Sequence, residues 1–528
     1  MKKIMFNKNI KSIFFVLTLF TLLVAVSTVS ATDDIDDTTV ITDTPADVAS
    51  DVVSEQNSAS DNNLVNTENN IENLEETQTC TGRTYNNPIS ITPANYATDM
   101  NNIYNYDAVE FSGTFSSTLT GGSITITAPI VFTSTSTATF EDTQFIINSN
   151  DVTIKNLIIE NDDGTSGAAI SSTGYNNIEV LNNSISVTKT TAGETVGIKF
   201  NSTHNQTICG NNITMEVYPQ YRWEELGPWN WVFHLYNSAI VVDDSYDVDI
   251  SYNKIIASNS TITEVNGTNE GMNIRNSHDI DVSYNNITVN NGDYGYGITF
   301  ENVLYSTINY NKIDVTTHNY ACPIQLTESK NVTVSRNNLT ASARNSTTPA
   351  GFETVVYGIY MSTNWGAYNN YNNIISYNRI NVDASVAYGI EGYIVTNNVI
   401  SHNVITVTGN CSMGIGLYNS SGINITNNMI IVTGETRTLD YRFYEMIPPE
   451  TVGIKTLAKE DTNDNNIESN IIIVSDSNIP NDELYAVILE DGYNNVKYNV
   501  LYAGTTTGND AVYDDLEGTG LNHVENNQ

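Results

Sequence analysis

Asp243, Arg275 and Glu301 are the side chains in this sequence best placed to do acid–base chemistry together. They fall 32 and 26 residues apart, and each holds the same phase of a repeating unit. Stacked at the spacing of neighbouring strands, an acid, a base and an acid would lie about 4.8 Å apart, close enough to shift one another's ionisation. Carboxylates beside a basic group are the parts from which proton transfer at a sugar ring is built. The same ladder on a solvent-facing sheet is also an ordinary stack of weak ion pairs. At the neighbouring outward phase stand Lys199, Val241, Asn273, Thr299 and Gln325, with no paired carboxylates.

Recognition is the second chemistry on offer. Residues 217–238 carry Tyr218, Tyr221, Arg222, Trp223, Trp229 and Trp231, which places three of the four tryptophans in one segment. Residues 433–452 carry Tyr441, Arg442, Phe443 and Tyr444, and residues 341–356 lead to Tyr357 and Trp365. Ring faces stack on the apolar faces of sugars, and a flanking Arg or Glu bonds hydroxyls. Two readings stay open: these rings bind a ligand, or they fold back as a small satellite core that holds a long loop in place.

The elements that must position these groups announce themselves by repetition. Eleven times the chain spells a β-branched aliphatic, two residues, Asn, one residue, then Ile or Leu, as in Ile250-Ser-Tyr-Asn253-Lys-Ile255. The Asn recurs at Asn183, Asn211, Asn253, Asn285, Asn311, Asn337, Asn378, Asn403, Asn428, Asn470 and Asn499, at gaps of 25 to 42 residues. A period in this range means a solenoid. Within a unit, apolar and polar residues alternate at a period of two, leaving room for three short strands and no helix. Six units open the first strand with Gly-Ile, at Gly197, Gly297, Gly358, Gly389, Gly414 and Gly453. The recurring Asn follows the second strand, where the chain bends. Asn tolerates the left-handed conformation, and stacked amides can bond from coil to coil. Extra length always falls between the third strand and the next first strand, so the large insertions leave one corner, the usual binding face of a repeat protein.

This pattern resembles the parallel β-helix repeat family, the pectate-lyase-like superfamily, from about residue 123 onward. The resemblance implies an all-β fold: a right-handed three-stranded parallel β-helix (solenoid) with an N-terminal cap. The acidic, Asn- and Thr-rich mixture is similar to the adhesin-like surface proteins of methanogenic archaea. Polysaccharide lyases and hydrolases share the superfamily, and a lyase or hydrolase using Asp243, Arg275 and Glu301 is the alternative. Galacturonan hydrolases of the superfamily carry Asn-Thr-Asp, paired Asp and His-Gly motifs. Here no histidine precedes Gly, and the Asp243-Asp244 pair stands without the rest. The expectation is an exported cell-surface adhesin that binds glycans or cell-wall components; a passive envelope component is the third reading.

The flanks set the destination. Residues 1–31 read as a signal peptide, with Lys2, Lys3, Lys8 and Lys11 before an apolar stretch and Val29-Ser30-Ala31 as the cleavage site. No other segment is apolar enough to span a bilayer, so the expected location is secreted or cell surface. Residues 32–79 hold no Lys or Arg and read as an acidic disordered spacer. Residues 80–122 form a cap, with a helical turn or two over 93–100, and residues 123–528 the coils, ending in a short polar closure from 504. The net charge of −39 excludes nucleic acid as a partner and suits neutral sugars. No metal or cofactor is expected, since the Gly-rich Ca²⁺ nonapeptide of other β-helices is missing. Asn-x-Ser/Thr sequons such as Asn201, Asn259, Asn266, Asn345 and Asn419 fit a surface protein. Cys322 and Cys411 fall three coils apart, about 14 Å at strand spacing and beyond disulfide reach. Cys209 sits in a turn and Cys80 in the cap, too far off in coil count, so four free thiols are expected.

Overall fold

The computed structural model describes residues 80–528 apart from 163–166, 190–194, 218–235, 260–267, 344–354, 364–369, 436–449, 458–463, 477–483, 491 and 516–520. The described residues belong to one compact unit.

Each repeat folds as three short strands joined by sharp turns, and each strand pairs in parallel with its counterpart one repeat on. In one unit the first strand is Thr268–Arg275, the second His278–Ser283 and the third Asn286–Asn290. They continue onto Tyr294–Glu301, Thr307–Asn309 and Lys312–Thr317 of the next. The first strands make a 14-stranded sheet among the described residues. Second and third strands join through the long strand Ile130–Glu141, which pairs with both Val152–Lys155 and Ile158–Asn161, giving a sheet of 29. The fold is a right-handed three-stranded parallel β-helix, the hand that parallel crossovers take.

Alternation at period two sends one set of side chains inward. Met272, Ile274, Val282, Ile287 and Val289 of one coil are buried and stack in register on Ile298, Phe300, Ile308, Ile313 and Val315 of the next. The glycines near the start of the first strand answer to crowding. A Cβ on Gly271 would lie 2.6 Å from the carbonyl oxygen of Gly297 and 2.6 Å from Ile287 Cγ2. Its φ is not positive, so the position demands space and not an unusual backbone. Pro323 holds the equivalent place in one coil.

The recurring Asn turn differs from the expectation in one respect. The left-handed residue is the one before the Asn: Tyr252, Tyr284, Tyr310, Arg336, Tyr377 and His402 take φ of 55° to 58°. The Asn side chain turns inward instead, is buried, and stacks. Asn285 Nδ2 donates to Asn311 Oδ1 at 3.0 Å and to the Ile250 carbonyl at 2.7 Å, while the Asn285 backbone N–H donates to the same Asn311 Oδ1 at 2.9 Å. The side-chain bond repeats at 3.0–3.1 Å on every step from Asn183 to Asn499 and continues to Asn527. Outside, the left-handed residues stack as well. Successive rings of Tyr252, Tyr284 and Tyr310 stack 4.9 Å apart with nearly parallel planes, Arg336 bridges Tyr310 and Tyr377, and His402 follows at 4.8 Å.

At the N-terminal end, Pro88–Ile91 and Ala108–Phe115 pair in parallel and lead onto Ile130–Glu141. Helix Tyr96–Asp99 runs into a 3₁₀ turn at Met100–Asn105, and Phe111, Phe115, Phe132, Phe140 and Phe145 pack together, edge to face except for the stacked pair Phe115–Phe140. At the other end, residues after 504 do more than close the coil. Val512–Asp514 adds a strand to the first sheet and His523–Glu525 one to the second. Asn509 Oδ1 then accepts from Asn527 Nδ2 at 2.8 Å, as the Asn of a further coil would.

Cys80 and Cys209 form a disulfide, contrary to the expectation of free thiols. Counting coils placed Cys80 over the first coil. In fact residues 80–87 run along the outside of several coils. Asn182 Nδ2 donates to the Cys80 carbonyl at 3.1 Å, the Arg83 N–H donates to Glu179 Oε2 at 2.9 Å, and Lys155 Nζ donates to the Arg83 carbonyl at 2.9 Å. That path brings Cys80 beside the turn at Gly210. Cys322 and Cys411 stay thiols, both buried. No helix among the described residues is long and apolar enough to cross a membrane.

Candidate functional site

The outer face of the first sheet gathers most of the unusual chemistry. Two residues before Ile274 the strand presents Met272 inward; Glu270, Asn273 and Arg275 face out, and parallel register repeats these three positions coil after coil. In the column of Arg275 stand Asp243, Glu301, Thr327, Ser362, Tyr393 and Tyr418. In that of Asn273 stand Val241, Thr299, Gln325, Tyr360, Glu391 and Gly416. In that of Glu270 stand Ser238, Tyr296, Cys322, Tyr357, Tyr388 and Met413.

The face therefore has two halves. In the aromatic half, Tyr357 and Tyr388 stack at 5.3 Å, with Tyr360 4.9 Å from Tyr357. Met413, Val452 and Ile488 pack with Tyr388 and Tyr485 as a cluster apart from the main core. Glu391 lies among these phenols. Burial pushes its carboxyl up to about 8, against an opposing hydrogen bond from Tyr357. Part of its surface is still open, but the rings shut out most of the water and the neutral acid is favoured. Burial, and then the Glu391 charge, raises Tyr360 and Tyr388 in turn. At the end of this half Lys455 Nζ meets Glu450 at 2.8 Å and Glu490 at 3.2 Å. Burial alone would lower the Lys455 ammonium, and the two carboxylates together raise it.

The polar half holds the ladder singled out above. Asp243, Arg275 and Glu301 are register partners on successive coils. Arg275 donates to Asp243 Oδ2 at 3.0 Å, and Asn276 Nδ2 donates to the other carboxylate oxygen at 3.1 Å. Glu301 is raised by burial first, with Arg275 opposing and Glu328 and Asp243 adding to the rise. Glu270, which the sequence reading missed, is 2% exposed. It accepts from Ser238 Oγ at 2.6 Å and Asn273 Nδ2 at 2.8 Å, and burial raises it in spite of both bonds. Four polar atoms on this half are buried with no partner: Asn273 Oδ1, Arg275 Nε, Thr299 Oγ1 and Gln325 Oε1.

The aromatic residues Tyr221, Arg222, Trp223, Trp229, Trp231, Trp365, Tyr441, Arg442, Phe443 and Tyr444 lie outside the described residues. The bounds of their segments are described. Asn212–Val217 and Met429–Gly434 are third strands, Tyr236–Asp243 and Thr451–Leu457 the first strands that follow. Trp365 instead falls between a first strand, Val355–Ser362, and a second, Ile374–Ser376, so the extra length does not always leave one corner as expected. Tyr360 and Glu391 continue the outward column of Gln325 on the next two coils, where the repeat spacing alone gives no sign of their burial. Among the described residues no group of three or more His, Cys, Asp or Glu side chains is placed to hold a metal ion.

Solved structures with a similar course include a double mutant of the periplasmic alginate epimerase AlgG. It matches at 16% identity and a TM-score of 0.35, over 70% of this chain and 78% of its own. A mannuronic acid specific polysaccharide family 6 lyase from human gut microbiota matches at 12% identity and 0.37, over 70% and 87%. Tailspike protein 3 of bacteriophage CBA120 matches at 13% and 0.36, over 86% and 61%. The likeness is one of fold and carries nothing about activity. No protein-family model and no curated protein sequence matches the chain.

Proposed function

We propose that this chain is an exported, adhesin-like glycan-binding protein that holds sugars on the outer face of its first sheet and in the aromatic insertions at the adjoining corner. One observation carries the reading: a stretch of half-buried tyrosines, Tyr357, Tyr360 and Tyr388, with Glu391 among them, lines one outer face of the first sheet. Sugars offer apolar faces to rings and hydroxyls to acceptors, and binding sites pair a mostly apolar lining with a few placed polar groups. Export is supported by residues 1–31 and by the Cys80–Cys209 bond, since disulfides persist in oxidising compartments. The test is binding of the secreted chain to a broad glycan and cell-wall panel, with bound glycans recovered and sized by mass spectrometry. Trp223→Ala together with Trp231→Ala should weaken binding and leave thermal unfolding nearly unchanged. A large loss of stability would favour the satellite core instead.

A polysaccharide lyase or hydrolase using Asp243, Arg275 and Glu301 is the second reading, favoured by the raised Glu301 beside a paired Arg275. Arginine keeps its proton in proteins, so Glu301 would be the group that gives or takes one. Shortened or unsaturated products in the same experiment, lost in Arg275→Ala, would decide for it.

A further inference from the structure

The outward side of the third strands changes character part-way along the coils. From Lys254 to Arg379 its first column holds only Lys, Asn and Arg, and in register it continues as Val404, Met429, Ile471 and Val500. The second column turns likewise, from Asn381 and Thr406 to Ile431, Ile473 and Tyr502. Tyr502 is exposed and the aliphatics are half-buried. The core of the coil has no need of them, since Ile430, Val432, Ile472 and Val474 fill it from the same strands. Met429-Ile430-Ile431-Val432 and Ile471-Ile472-Ile473-Val474 are thus unbroken apolar runs, the mark of strands covered on both faces. The third column is Thr408, Thr433 and Ser475, so no charged residue stands in the strip from Val404 to Tyr502. The nearest carboxylates, Glu435 and Asp476, fall at the corner beyond, where Asp476 accepts from Thr451.

Charge says what covers it. A net charge of −39 sets two copies of the chain against each other over most of their surface, and this strip is where that repulsion is missing. At its edge, strand Arg379–Asp383 carries a base in the first column and an acid in the third, both exposed. A two-fold axis along the coils, passing over the second column, exchanges the first and third columns at the same level. Arg379 then meets Asp383 of the second copy, and Asp383 its Arg379, while Ile431 and Ile473 meet themselves. Two coils further back, Lys312 is already paired with Asp314 at 3.6 Å. Reversing one copy end to end would carry Arg379 and Asp383 to opposite ends of the strip. We infer that the outward strip from Arg379 to Tyr502 docks a second copy of this chain, side by side and parallel. The first-sheet face stays open, so the inference does not depend on what that face binds. Five strands of five residues cover about 24 Å by about 17 Å. That is on the order of 400 Å², about half of what each partner in a standard complex buries, so the pairing is weak and follows concentration.

Sedimentation equilibrium of the secreted full chain over a wide range of concentration tests it. The parent should pass from monomer to dimer as concentration rises. Ile431→Asp should weaken the dimer at least about tenfold, by burying a charge at the centre of the contact. Arg379→Asp and Asp383→Arg should each weaken it about tenfold, because each sets like charges together. The two reversals combined in one chain should restore it. All three charge variants change exposed positions and should unfold at the parent's midpoint, so they test the pairing even where Ile431→Asp disturbs the coil. A parent that is monomeric throughout overturns the inference. So does a dimer indifferent to Ile431→Asp, or a double reversal no tighter than the single ones. A monomer that floats with phosphatidylcholine vesicles would assign the strip to lipid and overturn it as well.

Discussion

Glu391 sits in surroundings that a carboxylate does not prefer. A carboxyl pushed up to about 8 in the folded chain, against about 4.3 in an unfolded one, is protonated in the fold over a window where the unfolded chain has lost its proton. The folded state then binds more protons, so stability must fall as pH rises through that window. Its contribution is complete below about pH 4.3 and gone above the folded value of about 8. Asp293, raised to about 6 by burial, and Glu270 and Glu301, also raised, add in the same direction. The midpoint of thermal unfolding should therefore decline between pH 5 and pH 8, and Glu391→Gln should flatten a measurable part of that slope. A slope identical in the variant would mean that Glu391 ionises normally. None of this is legible residue by residue in the sequence. Glu391 reads there as one more surface acid, and only the register that sets it among Tyr357, Tyr388 and Tyr418 gives it a reason to hold a proton.

The element that repeats, the three-strand coil, was legible because each of its turns has a chemical requirement. The Asn phrase marks a place where the backbone bends and a buried amide must bond to the coil on either side. The period-two alternation marks the inward set. What the phrase concealed was the division of labour at the bend: the residue before the Asn takes the left-handed conformation, a Tyr, Arg or His stacked outside in most coils and Asn182, Gly210, Asn427 or Ser469 in others, and the recurring Asn keeps its amide inside. The small residue of the first strand is a sharper requirement than it looked. Gly271→Ala drives a methyl into the Gly297 carbonyl and Ile287, and strands fixed on both sides have little room to yield. It should cost about 1–3 kcal/mol in denaturant unfolding; a change within about 0.5 kcal/mol, as at a surface site, would show that the coils can part locally. The site itself was legible in half. Its columns follow from counting repeats, but the burial that makes Glu270 and Thr299 unusual depends on which neighbours crowd them, and spacing does not carry that.

At the scale of the molecule, a solenoid has few contacts between distant coils and unravels from its ends. The Cys80–Cys209 bond changes this at one end, closing a loop of 129 residues around the first coils. Reduction, or Cys209→Ser, should cost about 2–5 kcal/mol of stability and free residues 80–87 from Glu179 and Lys155. Limited proteolysis ahead of Pro88 reads out the second effect. Cleavage there in the oxidised parent as well would show that the lead-in is loose regardless of the bond. The sequence could not reveal this pairing, because the lead-in has no repeat from which its path over the coils could be counted.

The same bond decides how the protein would bear load. Tension arriving through the chain ahead of Cys80 passes straight across the sulfurs to Cys209, and the coils between these residues lie outside the line of force. They would stay folded while later coils stretched. For a protein anchored ahead of Cys80 and gripping a sugar on its first-sheet face, the stretch from Cys209 to the grip would be the part that gives, and the N-terminal coils the part that is spared.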